Sequence, residues 1–356
     1  MNTVFIIPTG IGCKIGGHAG DATPAFKLIA SVSDIAICHP NVVNASDINE
    51  MPDNAWYVEG SILDRFLEGK IHLEKPKSNK ILLVVNKPIR PETINAVNAA
   101  RHTIGCEIEV VELNHELEMI AVIDDKGATG HVLGWEELCS QISDYDFDAL
   151  AIASQINCRK EIALFYLKNG GINPWGGVEA LVSKLIANVI NKPVAHAPIE
   201  TDNEEVKFFN GVVDPRIAAE MISQTYIHCV FKGLHKAPRI SDRGLHVSDI
   251  DCLITPWQCF GRPHQACIKN GVTILGVKEN TTCLDIELSE RDAFWVDNYV
   301  EAAGWLQAYK NGITRYSISE DYLDEGGSYV NTTISTGKRM ASARRCKNPC
   351  PGQDYL

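Results

Sequence analysis

The chain is constrained most by a recurring rhythm of short apolar runs, each closed by a glycine, proline or polar loop. The strongest run is Ile81-Leu82-Leu83-Val84-Val85. It is apolar on both alternating faces, as in a strand covered on two sides. Similar runs lie at 4–7, 35–38, 56–58, 108–113, 149–153, 193–195, 252–255 and 273–277. Helical stretches fall between them. Pro24 suits the first turn of a helix running to about Ser33, with Asp21 or Thr23 as its cap. Pro91 opens a second helix carrying Ile94, Val97 and Arg101. Asn173 and Pro174 open a third, with an apolar stripe at Val178, Leu181, Val182, Leu185, Ile186 and Val189. The stretch 117–132, turning at Asp125-Lys126-Gly127, reads as a hairpin. Residues 290–310 read as one long helix.

Strands alternating with helices predict an α/β fold: a mostly parallel sheet with helices on both faces. At 356 residues, the length suits two lobes with a crevice at the strand C-terminal ends. The expected division is 1–145 with the glycine-rich loop, 146–310, and an extension at 311–356. That extension carries a basic tail, Lys338, Arg339, Arg344, Arg345 and Lys347, which would dock another copy of the chain or a partner.

Charge narrows the partners. Asp and Glu number 45 against 33 Lys and Arg, a net charge of −12. That balance repels phosphate backbones and argues against nucleic acid. No run approaches the roughly 18 apolar residues of a membrane span, and the first residues lack the basic start of a signal peptide. The 12 cysteines are scattered without a CxxC pair, so most read as small buried hydrophobes in a reducing compartment. The expectation is a cytoplasmic protein with a small-molecule ligand.

In open α/β sheets, ligands bind beyond the carboxyl ends of the strands. Several runs here end in reactive polar groups: Thr9-Gly10, His39-Pro40-Asn41, Glu59-Gly60, His196, and Glu279-Asn280-Thr281-Thr282. His39, placed before a proline, is pushed toward extended geometry and hence into a loop. Both histidines suit proton transfer, and Glu59 and Glu279 follow apolar runs that lower the local dielectric. His39, His196, Glu59 and Glu279 are therefore the catalytic candidates. Thr9, Gly10, Gly12, Gly16, Gly17, Asp21, Asn41, Arg239, Asn280, Thr281 and Thr282 are the substrate-binding candidates. The loop 8–21 can present N–H groups to an anion, but it is neither GxGxxG nor GxxxxGK[ST]. Dinucleotide chemistry is thus disfavoured and the cofactor is left unassigned. The two histidines and two carboxylates on separate strand ends could together hold a metal ion, a weaker option because no local ligand spacing supports it. Cys13 and Cys259 are weaker nucleophile candidates. Glu179, near the start of its helix, is explained by the helix dipole.

These clusters also resemble one family. Ile6-Ile7-Pro8-Thr9-Gly10-Ile11-Gly12, Gly16-Gly17, Gly20-Asp21-Ala22, His39-Pro40-Asn41-Val42 and Tyr57-Val58-Glu59-Gly60 open the match. Asn173-Pro174-Trp175-Gly176-Gly177-Val178-Glu179-Ala180, Ala195-His196-Ala197-Pro198, Asp214-Pro215-Arg216, Gly233-Leu234, Ala237-Pro238-Arg239 and Glu279-Asn280-Thr281-Thr282 continue it. In this order, over residues 4–290, the chain resembles the family DUF3326, whose name implies no activity. Cys13 and His18 depart from the family's pattern, which weakens both as catalytic candidates. The residues therefore support an acid–base enzyme of the isomerase, lyase or hydrolase type acting on a small, anionic metabolite. A metabolite-binding protein without catalysis and a structural subunit of an oligomer are the competing readings.

Overall fold

The computed structural model describes residues 1–318 except 19, 199–210, 218–225, 285 and 290. Its strands are β1 (Asn2–Phe5), β2 (Ile35–Cys38), β3 (Ala55–Tyr57), β4 (His72–Glu74), β5 (Lys80–Val85), β6 (Glu107–Glu112), β7 (Glu118–Asp124) and β8 (Gly127–Leu133). They continue with β9 (Ala149–Ser154), β10 (Ile156–Asn157), β11 (Val194–Pro198), β12 (Arg239–Ser241), β13 (Cys252–Pro256), β14 (Thr273–Val277) and β15 (Phe294–Val296). The helices are α1 (Thr23–Val32), α2 (Gly60–Leu67), α3 (Pro91–Thr103), α4 (Trp135–Gln141), α5 (Lys160–Asn169), α6 (Gly176–Ile190), α7 (Tyr226–Lys236), α8 (Arg262–Asn270) and α9 (Tyr299–Lys310).

Two parallel sheets organise the chain. The larger runs β15-β14-β13-β1-β2-β3 and the smaller β11-β9-β5-β6, with every neighbouring pair in both sheets parallel. The α/β class expected from the strand–helix alternation is therefore correct. The division at residue 145 is not how the sheets divide. β1 pairs with both β2 and β13, so the larger sheet joins the two ends of the chain, and the middle folds into the smaller one. Strand order depends on pairing over some 250 residues of chain, which no local pattern records. The 311–356 extension lies outside the described residues beyond 318.

Strand alternation explains the cores. Val4 and Ile6 point to one side of β1 with Ile37 and Leu253, while Phe5 and Ile7 point to the other with Phe26, Ile29, Ala302 and Leu306. In β5, Leu82 and Val84 join the first of these cores, whereas Ile81, Leu83 and Val85 face α3 and α7. Both sheets thus share one central core, filled by α2 (Ile62, Phe66, Leu67) and α6 (Val178, Val182, Ile186). Ser61 ties α2 to the edge strand β11 of the smaller sheet: its hydroxyl donates to the Val194 carbonyl at 2.8 Å and accepts the Val194 N–H at 3.1 Å.

Three local expectations change. The α1 N-cap is Ala22, because the Asp21 carboxylate is engaged by the Gly16 and His18 N–H groups at 3.0 and 3.2 Å. The region 290–310 contains an edge strand, β15, before α9 begins. The third helix starts at Gly176, with the Asn173 side chain accepting the Trp175 and Gly176 N–H groups. The hairpin β7–β8 forms where expected, with Asp124 opposite Gly127. Nine cysteines among the described residues are free thiols, most of them buried; Cys283 is disulfide-bonded.

Candidate functional site

A cavity of about 610 Å³ opens where the carboxyl ends of β1, β2 and β3 meet the edge strand β11 and the N-termini of α2, α6 and α8. The predicted His39, Glu59, His196, Thr9, Asn41 and Gly17 all line it, and so do Glu179, Asp64, Lys184, Arg262 and Cys229. Three helix N-termini converge on one space, each leaving its first N–H groups without intrahelical acceptors.

His39 follows β2 directly and is 7% exposed. Its Nε2 accepts the Ile7 N–H at 3.0 Å. An accepting Nε2 leaves the ring proton on Nδ1. Burial lowers the His39 pKa to about 4, so the ring is neutral at physiological pH. Asn41, two residues on, donates to the Thr9 hydroxyl at 2.6 Å and to the Ile7 carbonyl at 3.2 Å, which holds the ends of β1 and β2 together.

Glu59 is the N-cap position of α2, but its side chain makes no capping hydrogen bond. It is 4% exposed. Desolvation alone pushes its pKa up to about 8, because an anion there loses its water without gaining a partner. The neighbouring Tyr57 hydroxyl is raised by burial and then by Glu59. Gly233 of α7 lies against this pair: a Cβ there would meet the Tyr57 ring at 2.9 Å and Glu59 Oε1 at 3.3 Å.

The third group is a chain of hydrogen bonds. His196, in β11, contacts Glu179 Oε1 through Nδ1 at 3.0 Å and Ser154 Oγ through Nε2 at 2.9 Å. The histidine side chain is fully covered, whereas the Glu179 side chain is 25% exposed. Ser154 is buried beside Met119 and is not part of the cavity lining. A serine–histidine–carboxylate set is thus present with its order reversed. The carboxylate meets the cavity and the hydroxyl is buried behind the ring. Glu179 is therefore the member of the set that the cavity reaches most openly, with His196 hydrogen-bonded behind it. The dipole reading of Glu179 missed this because its partner sits 17 residues away on another element.

Several expected site residues lie elsewhere. Glu279 accepts the Tyr299 N–H at 3.2 Å, at the start of α9. Asn280 is fully buried and bonds both the N–H and the carbonyl of Ile15 and the Tyr299 hydroxyl. The Thr281 carbonyl accepts the Lys14 N–H, and the Thr282 hydroxyl donates to the Gln258 carbonyl. Arg239 is committed to Asn79, Ser78 and Asp148. The loop glycines serve packing: Gly10 holds the Ala128 N–H on its carbonyl at 2.8 Å, and a Gly16 Cβ would meet Ile7 at 2.6 Å. Gly12, with φ +62°, packs on Cys283. Asp21 holds its own loop, as described above. None of these residues lines the cavity.

The cysteine candidates are quiet. Cys259 has a histidine within reach, with Sγ 3.8 Å from His264 Nε2. Burial pushes the thiol up to about 12 and the imidazole down to about 4, so neither ionises at neutral pH. Burial raises Cys13 in the same direction. Among the described residues, no three His, Cys, Asp or Glu side chains are grouped to hold a metal ion. No described helix is long and apolar enough to cross a membrane.

Against known proteins, the model of DUF3326, described as a protein of unknown function, matches residues 2–319. The chain belongs to that family. It is also 32% identical to an uncharacterized lipoprotein of Synechococcus sp., over 94% of this chain and 97% of that protein. No solved structure matches it.

Proposed function

We propose that this DUF3326 protein is an enzyme that moves protons on a small polar, anionic metabolite. One observation carries the reading: two carboxyl groups in contrasting settings line the same cavity. Glu59 is buried without a partner and is held as the acid at neutral pH. Glu179 reaches the cavity with His196 behind it. A buried, unpartnered carboxyl group facing the same space as a partly exposed, hydrogen-bonded one is the contrast in surroundings that acid–base pairs use. The N-termini of α2, α6 and α8, with Lys184 and Arg262, supply the positive end an anion needs. Both cations are anchored, Lys184 to Asp64 at 2.6 Å and Arg262 to Glu68 at 2.5 Å, which fixes their position at the cavity wall.

A cytoplasmic, reducing location is proposed with it, which the unbridged buried cysteines among the described residues support and the Cys283 disulfide does not.

The test is turnover of a polar metabolite extract, followed by mass spectrometry, with wild type and Glu179→Gln side by side. At least one anionic metabolite should be consumed or isomerised by wild type only. Retention of a metabolite by both proteins, with no conversion, would replace the enzyme by a binding protein.

A further inference from the structure

One corner of the cavity is more specific than acid–base chemistry requires. The Ile7 N–H occupies His39 Nε2, so the remaining ring proton sits on Nδ1. That nitrogen faces the first residue of α2, where a Cβ on Gly60 would lie 3.9 Å away. Gly60 leaves this space open, and no acceptor among the described residues takes the Nδ1 proton. Around the same point lie the leading N–H groups of α2 and the buried, unpartnered carboxyl of Glu59. The corner therefore collects hydrogen-bond donors, and the cation nearest His39, Lys184, is already paired with Asp64. Such a site suits an oxygen on which negative charge develops during the reaction rather than one already charged.

We infer that this corner binds the carbonyl oxygen of the substrate and holds it as an enolate while Glu179 removes a proton from the adjacent carbon. The inference rests on the acid–base reading above and names its substrate class: a carbonyl compound with an acidic C–H, such as a 2-oxo or 3-oxo acid. The C–H bond breaks and its proton passes to a Glu179 oxygen. The released electron pair forms the C=C bond, and the carbonyl π pair moves onto oxygen, where the His39 Nδ1–H and the Glu59 O–H meet it. Return of the proton to the same carbon gives exchange, and return to a neighbouring one gives an isomer. No oxidant or co-reactant is needed. A neutral imidazole is the appropriate donor, since its N–H is close in acidity to an enol.

The experiment uses the full chain with two probes, oxalate as a planar enolate mimic and malonate as a dianion without that geometry. Calorimetry should give oxalate at least tenfold tighter binding than malonate. In the free protein, imidazole NMR should show His39 as the Nδ1–H tautomer, and oxalate should move that proton downfield. His39→Gln keeps an acceptor for the Ile7 N–H but has no donor at the Nδ1 position, and should abolish the tenfold preference. His39→Asn, whose amide N–H overlays Nδ1, should retain it. Equal affinity for the two probes, an Nε2–H tautomer, or no response to either probe would overturn the carbonyl assignment. The parent reading falls separately, if no metabolite is turned over. The wild-type comparison stands even if a variant does not fold.

Discussion

Two strand ends of the same parallel sheet, β2 and β14, look alike in sequence and differ in use. Each finishes an apolar run with polar residues, His39-Pro40-Asn41 after β2 and Glu279-Asn280-Thr281-Thr282 close behind β14. The first lines the cavity. The second is a latch, with Asn280 and Glu279 tying the loop at Ile15 and the start of α9 together. The difference lies in sheet position. β2 sits beside the edge strand β3 and faces the second sheet, while β14 lies at the far side next to β15. A polar strand end becomes a site only where another element leaves a space opposite it.

The comparison can be broken by substitutions that should act on one end only. The largest effect is expected at Glu179. Glu179→Gln keeps the oxygen that meets His196 but removes the base, and turnover should fall by roughly 10²–10⁴-fold. Because the side chain is partly exposed, chemical denaturation should move by less than about 0.5 kcal/mol. A large loss of stability would mean that Glu179 is a structural partner of His196, and the cavity would then resemble the β14 latch.

Glu59→Gln should act through pH. The folded pKa is raised to about 8 from an ordinary carboxylate value. Its contribution to stability is therefore full below the unfolded pKa and is lost as pH rises through 8. The variant lacks this loss, so it should be more stable than wild type at pH 8 by roughly 3–5 kcal/mol and similar to it at pH 4.5. Denaturation curves at the two pH values check it. His39, His18 and His264 have the opposite linkage. Burial lowers each to about 4, so their contribution is present above about 6.5 and is lost as pH falls toward 4. A parallel pH dependence in wild type and Glu59→Gln would remove the proposed acid from the site.

At the other end, Asn280→Ala should cost stability and leave the chemistry alone. Asn280 is fully buried, and its Oδ1 accepts the Ile15 N–H at 2.9 Å, while Nδ2 donates to the Ile15 carbonyl at 2.8 Å and the Tyr299 hydroxyl at 2.7 Å. Leaving those groups unsatisfied should destabilise the protein by about 3 kcal/mol, seen as a lower denaturation midpoint. Turnover per folded molecule should stay within twofold. A specific loss of turnover would bring the β14 end back into the site.

How much of this was legible follows from the range of the interactions. His39 and Glu59 stand just past strand ends, and His196 sits mid-way along β11, but all three are visible as the close of an apolar run. The parallel α/β rhythm is legible for the same reason. Glu279, Asn280 and Arg239 carry the same local signals but meet partners set by sheet order, which is decided by pairing between residues such as Val4 and Leu253. Glu179 looks like an ordinary first-turn acid until β11 brings His196 alongside it. The loop glycines look like ligand cradles, because a positive φ and a close backbone neighbour leave the same mark as a bound anion. Phe294–Val296 is too short to break the helical pattern around it, and only its pairing with Leu275–Val277 makes it a strand.

The smallest effect expected sits where packing and site coincide. Gly177 is the second residue of α6, at the cavity, and a Cβ there would lie 2.2 Å from the Ala128 carbonyl. Ala128 is held in turn by the Gly10 carbonyl, so the hairpin tip cannot simply retreat. Gly177→Ala should then cost about 1–3 kcal/mol through overpacking and should also shift Ala128 and Thr129, which line the cavity. Unlike Asn280→Ala, it should lower both stability and oxalate affinity, the latter by several-fold. Loss of stability with unaltered oxalate binding would show that the hairpin tip closes the cavity without shaping it, and the ligand contacts would then come from the strand ends and α2 alone.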